Sequence, residues 1–379
     1  MKRTDKKDRN GRKADKPSKS GRVRAHFWYQ ANIILLCSVT LLSLAASVLF
    51  FLQTRTAEKE KNELSGKLEA LEGDQKTLYT EEEVQEKMEQ ARSSAGETER
   101  HRILMQIQSD MESGGSTASM LRSLFSDDIV VVSGGKYYFY PILNSVSRNS
   151  FQSGDFSLSD DGRLQYDGKD KVTLQSGIDV SEENGDIDWT LVSEDDIAFA
   201  MICAGGRLSS EENEEAGGIS DDEKMGENIE GASKAGLNVG VSYILGATSK
   251  DEAETEAAHL VGRLKPYQSR VTYPVAVWVN VPSETDRTAG QSRAEWTDYV
   301  LTFCEKLEEA GYQPMIYGNL ASFVMMLNME DLEKYDKWIS NTGAGLYFPY
   351  QFSMWQYSVN GTVPGITTEV GLDASLTIG

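Results

Sequence analysis

The side chains that could do chemistry in this sequence are mainly carboxyls beside short apolar runs. Asp179 lies in the run SGIDVS, and Asp373 lies in the closing segment GLDAS. A carboxyl in such a place can donate or accept a proton, or it can cap a helix or fix a turn. The three histidines, His26, His101 and His259, lack the spacing of metal ligands. We therefore expect chemistry based on carboxyls, with no metal and no cofactor.

Two cysteines lie in the C-terminal part of the chain. Cys203 occurs in FAMICAG and Cys304 in YVLTFCEKL, and both patterns are apolar. Buried free cysteines behave as small apolar side chains. The sequence favours two separate buried thiols over a disulfide.

The carboxyls must be positioned by the elements that follow residue 176. There, short apolar runs alternate with helix-like segments at 222–235, 251–264 and 293–310. The runs are SGIDVS, IAFAMICAG, LNVGVSYILG, YPVAVWVNV, QPMIYGN, DKWIS and SMWQYS. This alternation predicts an α/β fold with a largely parallel sheet, either open or closed into a barrel. Functional sites in such folds lie at the carboxyl ends of the strands.

The order of several longer segments resembles a known family. The segments are SGIDVS with GDIDW, NIEGASKAGLNVGV, TFCEKLEEAGYQPMIYGN, YDKWIS, SMWQYSVNGTVPGI and GLDAS. Together they resemble glycoside hydrolase family 25, the lysozyme-type 1,4-β-N-acetylmuramidases that cut the glycan of peptidoglycan. The resemblance covers residues 176–379 and implies a flattened, irregular, TIM-like β/α barrel with an acidic groove at the strand ends. The upstream region is similar to that of membrane-anchored members from Gram-positive bacteria.

The resemblance also implies a catalytic D-x-E pair on one strand, after a proline. Glycoside cleavage generally needs one carboxylic acid to protonate the leaving oxygen and a second group that stabilises or attacks the sugar. The matching stretch YPVAVWVN puts Trp278 at the Asp position and Asn280 at the Glu position. With period two, Ala276, Trp278 and Asn280 face the barrel interior, and the alternate valines face the helices. Neither an indole nor an amide can act as the acid, so we expect a catalytically degenerate domain, a pseudoenzyme.

Other positions that the family uses are retained. Asp179 and Asp373 match acidic family positions, which implies catalytic or sugar-contacting carboxyls that are now vestigial. Trp355, Gln356 and Tyr357 also match. Their resemblance implies glycan binding, and packing at the barrel mouth is the alternative.

Two functions follow from these residues. The first is a cell-surface, lysozyme-like domain that binds peptidoglycan glycan or a cell-envelope protein without cutting glycan. The alternative is an active muramidase that hydrolyses MurNAc–GlcNAc linkages in cell-wall turnover, using Asp179 with Asp373 or Glu284. Glu284 and Asp286 follow the altered strand, where they either supply a displaced acid or belong to a solvated loop.

Charge separates the two ends of the chain. Residues 1–25 carry eleven Lys and Arg against three Asp, a net +8 within a total of −21. Ile33 to Leu52 contain no charge, and about 20 apolar residues span a bilayer core of about 30 Å. The basic side faces the cytoplasm. The sequence therefore predicts a cytoplasmic tail at 1–30, a signal-anchor transmembrane helix at 31–53 and an extracellular C-terminal part, in a single-pass cell-membrane protein.

The segment 54–112 is predicted to be a helical stalk. Leu64, Leu68 and Leu71 have the spacing of a coiled-coil seam, although few heptads follow. A stalk that forms a homodimer and a solvated spacer are both compatible with this pattern.

Residues 113–175 are predicted to form a small β-hairpin module, and residues 176–379 the barrel. One hairpin is DIVVVSGGKYYFYPI and a second is GRLQYDGKDKVTLQ, with its turn at Asp167-Gly168. The acidic loop Ser209–Glu223 is either solvated or attracts a basic partner or cations. An isoelectric point near 4.7 argues against nucleic acid as a partner.

Overall fold

The computed structural model describes residues 48, 51–65, 81–112, 114, 116–169, 171–207, 218–343 and 345–378. The chain divides into two compact units, Met1–Gly115 and Ser116–Gly379. The predicted tail at 1–30 and most of the predicted transmembrane helix at 31–53 lie outside the described residues, as do residues 208–217 of the acidic loop. Within the described residues, no helix has the length and apolar character that a membrane span needs.

The first unit contains two helices, α1 at residues 51–65 and α2 at Glu81–Glu112. Three glutamates occupy the first turn of α2, where they favour the positive end of the helix dipole. Its apolar side chains are sparse, and Met88, Leu104 and Met105 are exposed whereas Ile103 is buried. The predicted helical stalk is therefore helical where it is described, and its association with a second copy stays a prediction.

The second unit opens with the β-rich module. It contains α3 (Thr117–Leu124), β1 (Asp128–Ser133), β2 (Lys136–Pro141), β3 (Phe156–Leu158) and β4 (Leu164–Tyr166). The strands β1 and β2 form the first predicted hairpin. Its turn residues Gly134 and Gly135 both have positive φ, as a two-residue hairpin turn requires.

The second predicted hairpin is wrong. β4 pairs with the upstream strand β3 rather than with the residues that follow Asp167-Gly168. Those following residues begin β5 (Val172–Val180), whose Val172 pairs with Ile378 near the end of the described chain. A partner about 200 positions away leaves no trace in the local turn pattern.

Eight strands close into a barrel, which confirms the predicted fold. After β5 they are β6 (Phe199–Gly206), β8 (Asn238–Ile244), β9 (Val271–Trp278), β10 (Pro314–Asn319), β11 (Asp336–Ser340), β12 (Met354–Gly361) and β13 (Val370–Ile378). They pair in the order β5-β13-β12-β11-β10-β9-β8-β6, and a β5–β6 pairing closes the ring. A short β7 (Ser220–Asp221) adds to β6. The strand β13 is antiparallel to both neighbours, because its short connection from β12 leaves no room for a crossover helix.

Four helices connect the strands: α4 (Trp189–Glu194), α5 (Met225–Lys234), α6 (Lys250–Leu264) and α7 (Arg293–Glu309). The last three confirm the predicted helix-like segments. Ser249 and Ser292 accept hydrogen bonds from the backbone of the first turns of α6 and α7, and so fix where these helices begin.

Two apolar clusters lie on opposite faces of the barrel wall. The inner cluster contains Ala276, Met315, Tyr317 and Trp338 inside the barrel. The outer cluster contains the alternate valines of β9, packed with helix residues such as Phe303. The period-two register predicted for β9 is confirmed by this division.

The module and the barrel pack together within the second unit. The Val130 amide donates to the Tyr347 hydroxyl at 2.8 Å. The Phe156 ring meets the Trp355 ring edge to face, with centroids 5.1 Å apart. The predicted division at residue 175 therefore falls inside one compact unit.

Candidate functional site

A groove of about 580 Å3 lies at the carboxyl ends of the barrel strands. Asp179 contributes from the end of β5, Cys203 from β6, and Trp278 from the last position of β9. Parallel strands bring their carboxyl ends to one edge, and the eight-stranded closure makes that edge a ring. The groove is therefore the place that the fold provides for a ligand.

Three aromatic side chains form one row along the groove wall. Trp278, Tyr317 and Trp338 stand in register on β9, β10 and β11, and all three line the groove. The rings of Tyr317 and Trp338 stack with centroids 3.8 Å apart, and those of Trp278 and Tyr317 are tilted at 5.1 Å. Tyr317 and Trp338 are only 5% and 1% exposed, so Trp278 is the member of the row that can present its ring to a flat or ring-shaped ligand.

Gln356 joins this wall to the carboxyls. Its Oε1 accepts hydrogen bonds from the hydroxyls of Tyr317 at 2.8 Å and Ser340 at 2.7 Å. Two hydroxyl donors fix the amide orientation, since only the oxygen can accept from them. The Nε2 group therefore faces Asp179 and donates to its Oδ2 at 2.8 Å.

Asp179 and Asp373 form a close carboxyl pair. Asp373 is completely buried and accepts from the indole N–H of Trp338 at 2.8 Å, while its second oxygen has no hydrogen-bond partner among the described residues. Burial raises the pKa of both groups, and the neighbouring Asp179 charge raises the pKa of Asp373 well above its usual range. The hydrogen bond from Gln356 opposes the rise in the pKa of Asp179, so a proton on this pair is favoured on Asp373.

A glycine allows this arrangement. Gly371 pairs with Asp179 across β13 and β5, and a Cβ added at Gly371 would lie 1.7 Å from the Asp179 Oδ2. The carboxylate therefore occupies the space that any larger side chain at position 371 would take.

Further carboxyls line the rim of the groove. Asp222 is buried and accepts from two backbone amides, those of Glu182 and Lys224, at 2.8 and 2.9 Å. Burial raises the pKa of Asp222 in spite of these bonds. Asp221 pairs with Arg263 at 3.2 Å. These two side chains tie the segment from β7 to α5 to Glu182 and to Arg263 of α6.

Cys203 faces the groove as a protonated thiol. Burial, followed by the nearby charges of Asp222 and Asp179, raises the pKa of its side chain to about 11. A thiol nucleophile reacts as the thiolate, so Cys203 does not act as one at neutral pH. Cys203 and Cys304 are separate free thiols, as predicted, although Cys203 is only partly buried.

Residues 178–366 match the model of the glycosyl hydrolases family 25. The matched segment contains most of the barrel strands and the groove. The barrel is a family 25 domain. A comparison with curated proteins found no match.

Several solved structures are similar to this chain. The modular autolysin LytC from Streptococcus pneumoniae shares 20% identity at a TM-score of 0.47, over 65% of this chain and 66% of the autolysin. The same autolysin has been solved with a synthetic peptidoglycan ligand. A bacterial lysozyme from Streptomyces coelicolor shares 20% identity at a TM-score of 0.41, over 52% of this chain and 90% of the lysozyme. A family 25 glycosyl hydrolase from Bacillus anthracis shares 17% identity at a TM-score of 0.41, over 53% of this chain and 88% of the hydrolase.

The two positions that the resemblance aligns with the D-x-E pair lie in different surroundings. Trp278 lines the groove, as its register predicts. Asn280 lies beyond the last residue of β9, is exposed, and is not among the residues that line the groove. The strand ends too early for Asn280 to keep the alternation that the sequence predicts.

Trp355 and Tyr357 require a correction. Their side chains are 0% and 2% exposed and belong to the outer cluster, where the module covers them. The Trp355 indole donates to the backbone oxygen of Asn341 at 2.6 Å. Both rings pack outside the barrel wall. Of the three predicted residues, Gln356 alone points inward, where it donates to Asp179, and its side chain is 4% exposed.

The proposed partners of Asp179 also differ from expectation. Asp373 lies behind Asp179 and does not line the groove. Glu284 is exposed in the loop after β9 and does not line the groove either, and Asp286 accepts from the backbone of its own loop at 2.7 Å. Of the predicted carboxyls, only Asp179 reaches the groove.

Sequence reasoning missed two groove residues. Tyr317 and Glu369 line the groove, although no motif singled them out. Ser242 and Glu182, which the resemblance aligns with groove positions, line it as well. Tyr317 and Ser242 have inward positions near the carboxyl ends of apolar runs, which is a usable signal once the register is known. Glu182 and Glu369 lie in loops, where no periodic pattern exists.

The potential proton donors of the groove differ in their surroundings. Asp179 lines the groove, accepts a hydrogen bond from Gln356 and has a pKa that burial raises. Trp278 occupies the end of β9 and has no acidic proton to give. Asp222 has a raised pKa, but both of its oxygens already accept backbone hydrogen bonds.

Proposed function

We propose that this family 25 domain binds peptidoglycan glycan without hydrolysing it. The observation that carries the proposal is Trp278, which stands in the groove at the end of β9 and packs against Tyr317. The family resemblance places an acid at this position, and an indole offers a stacking surface instead. The family match supports peptidoglycan as the class of ligand.

The carboxyl pair supports the same function. Hydrolysis by a carboxyl pair needs an acid and a second group on opposite sides of the scissile bond, at least about 5 Å apart. Asp179 and Asp373 lie next to each other, and Asp373 is buried behind the wall. They lie on one side of the groove. The alternative is an active muramidase that uses Asp179 with Asp373 or Glu284; Asp179 lines the groove, but neither of its two partners does.

One experiment separates binding from hydrolysis. The purified full chain is incubated with insoluble peptidoglycan, and both the pelleted protein and new reducing ends are measured. We expect the chain to pellet and no reducing ends to form. Release of reducing ends that Asp179→Asn abolishes would establish the muramidase, and failure to pellet would redirect the search to a cell-envelope protein.

Two variants make the result specific to the groove. Trp278→Ala removes the stacking surface and is expected to weaken pelleting about tenfold. Tyr137→Ala, which truncates an exposed aromatic side chain on β2 of the module, is the matched control and should leave pelleting unchanged. Trp278→Asp with Asn280→Glu is expected to restore little or no hydrolysis, because position 280 lies outside the groove.

We also propose that the chain is anchored in the cell membrane, with its N-terminus in the cytoplasm and the barrel outside. The uncharged run from Ile33 to Leu52 and the basic residues before it support this topology. Protease treatment of intact cells should remove the barrel and leave a small membrane-bound fragment. Protection of the barrel would contradict the topology.

A homodimer through the stalk is a separate proposal, supported only by the spacing of Leu64, Leu68 and Leu71. Chemical cross-linking of the full chain should give a dimer band that a Leu64→Glu, Leu68→Glu variant loses. An unchanged band would contradict a dimer through this seam.

A further inference from the structure

The charges around the groove are one-sided. Of the twenty described residues that line it, six carry a carboxyl and none is Lys, Arg or His. Asp221 is paired with Arg263, and Asp222 is bonded to backbone amides. Among the described residues, no basic side chain forms an ion pair with Glu183 or Glu369, and both are exposed at the rim.

Several hydrogen-bond donors that line the groove already donate to other groups of the protein. The Tyr317 hydroxyl already donates to Gln356, and the Trp338 indole donates to Asp373. The Asn184 amide donates to Thr368 and to the backbone of Glu369. The donors that remain include the Trp278 N–H, the Cys203 thiol and several hydroxyl groups, so what distinguishes the groove is its negative charge.

Ser242 is an independent sign that a polar ligand enters. It is 5% exposed and lines the groove from β8, in register with Cys203 and Ala276. Within the described part of the chain its hydroxyl has no hydrogen-bond partner. A buried hydroxyl without a partner costs free energy unless a ligand or water satisfies it.

Acceptors, aromatic faces and negative charge together suit an ammonium group. An ammonium group has three hydrogens to donate and no acceptor. It is also attracted to the faces of Trp and Tyr rings. A neutral N-acetyl group carries no charge, so the acidic rim of the groove attracts it less than it attracts an ammonium group.

We propose that the groove selects glycan whose amino sugars carry free ammonium groups over glycan in which those amines are acetylated. This selection rests on the proposed glycan binding and names the substrate class of that site. Glu183, Glu369 and Asp179 supply the negative charge, Ser242 accepts a hydrogen bond, and the Trp278 side chain packs on the sugar ring.

Two sugar tetramers of equal length, one with free amines and one with acetylated amines, test the selection. The full chain is titrated calorimetrically with a β-1,4-linked tetramer of glucosamine and with the same tetramer of N-acetylglucosamine, at about pH 5.5, where both the amines and most carboxyls are charged. We expect the glucosamine tetramer to bind about fivefold tighter at low salt. This preference should fall towards onefold at about 0.5 M salt, because exposed charges are then screened.

Paired variants separate the groove from the general acidity of the chain. Glu183→Gln with Glu369→Gln is expected to weaken binding of the glucosamine tetramer about threefold and to leave the acetylated tetramer unaffected. Glu230→Gln with Glu305→Gln removes two exposed charges from α5 and α7 and should change neither affinity. An equal loss in both double variants would show that net charge, rather than the groove, attracts the amine.

The outcomes distinguish the preference for free amines from the proposed glycan binding itself. Equal or tighter binding of the acetylated tetramer would overturn the selection and leave glycan binding intact. Binding of neither tetramer would overturn both. If the wild type prefers the glucosamine tetramer and Trp278→Ala weakens its binding, both glycan binding in the groove and the selection of free amines would be supported.

Discussion

At the scale of single residues, the groove is built around two neighbouring carboxyls whose pKa values burial raises. Asp179 accepts a hydrogen bond from Gln356, and Asp373 accepts one from the Trp338 indole. Each of these partners uses an inward position of its strand. Changing any of them alters the charge that the groove presents.

The carboxyl pair predicts a specific dependence of stability on pH. A carboxyl whose pKa is higher in the folded chain than in the unfolded chain holds its proton more tightly when folded. Its contribution to stability is therefore complete at low pH and is lost as pH rises from about 4, the unfolded value, towards the folded value. Asp373→Asn removes this loss, since an amide does not titrate.

We expect the free energy of unfolding of Asp373→Asn to gain on that of the wild type as pH rises from about 4 to about 7. Chemical denaturation at several pH values measures the difference. Glu305→Gln, at an exposed position on α7, serves as the control and should follow the wild type. Parallel profiles for Asp373→Asn and the wild type would show that Asp373 is ionised in the folded chain.

Gly371 gives a second prediction for a single residue. A methyl group at this position would overlap Asp179, so Gly371→Ala must displace the carboxylate. We expect a loss of about 1–3 kcal/mol in the free energy of unfolding, as for other overpacked sites, together with weaker glycan binding. Gly154→Ala is the control, because nothing lies within 4 Å of the added Cβ. Unchanged glycan binding in Gly371→Ala would separate Asp179 from ligand recognition.

At the scale of elements, helix α6 shows how local sequence sets stability independently of the groove. Ser249 caps its first turn by accepting from the Glu252 amide at 3.2 Å. Gly262 lies in its last turns with ordinary backbone geometry and open space around the missing Cβ. Ser249 therefore stabilises the helix, whereas Gly262 makes it less stable than an alanine at the same position would.

Opposite effects are expected from two alanine substitutions in α6. Ser249→Ala should lower the free energy of unfolding by about 1 kcal/mol, because an N-cap hydrogen bond is lost. Gly262→Ala should raise it by about 0.5–1 kcal/mol, because alanine restricts the unfolded chain. Urea denaturation of both variants measures the changes, and neither should affect pelleting with peptidoglycan. Effects of the same sign would mean that α6 tolerates neither change as an ordinary helix does.

The helices and strands were largely predictable from the sequence. Which side chains of a strand point into the barrel was predictable only for some strands. The β9 register followed from alternation, because its outward side is valine and its inward side is not. In β12 the first four residues are all buried, so no alternation marked Trp355 and Tyr357 as outward. The strand partner of Val172 is Ile378, which lies near the C-terminal end of the sequence and leaves no signal in the residues around Val172.

At the scale of the whole molecule, the β-rich module and the barrel share one core across the predicted boundary at residue 175. Phe156 is almost fully buried against Trp355, and Phe151 packs on Phe352 with ring centroids 5.6 Å apart. The amide and the hydroxyl of Ser147 both donate to Glu333. The module thus covers an apolar outer face of the barrel that no helix covers.

A shared core predicts that the module and the barrel unfold together. Phe156→Ala should lower the free energy of unfolding by about 3–5 kcal/mol, as expected for a buried phenylalanine. The whole transition should move, because the cavity lies against barrel residue Trp355 as much as within the module. Tryptophan fluorescence and far-ultraviolet circular dichroism should therefore give the same lowered midpoint. Leu158→Ala, on the exposed end of β3, is the control and should leave the midpoint near that of the wild type. A separate early transition in Phe156→Ala, with the barrel midpoint unchanged, would show instead that the module is an independent domain that merely rests on the barrel.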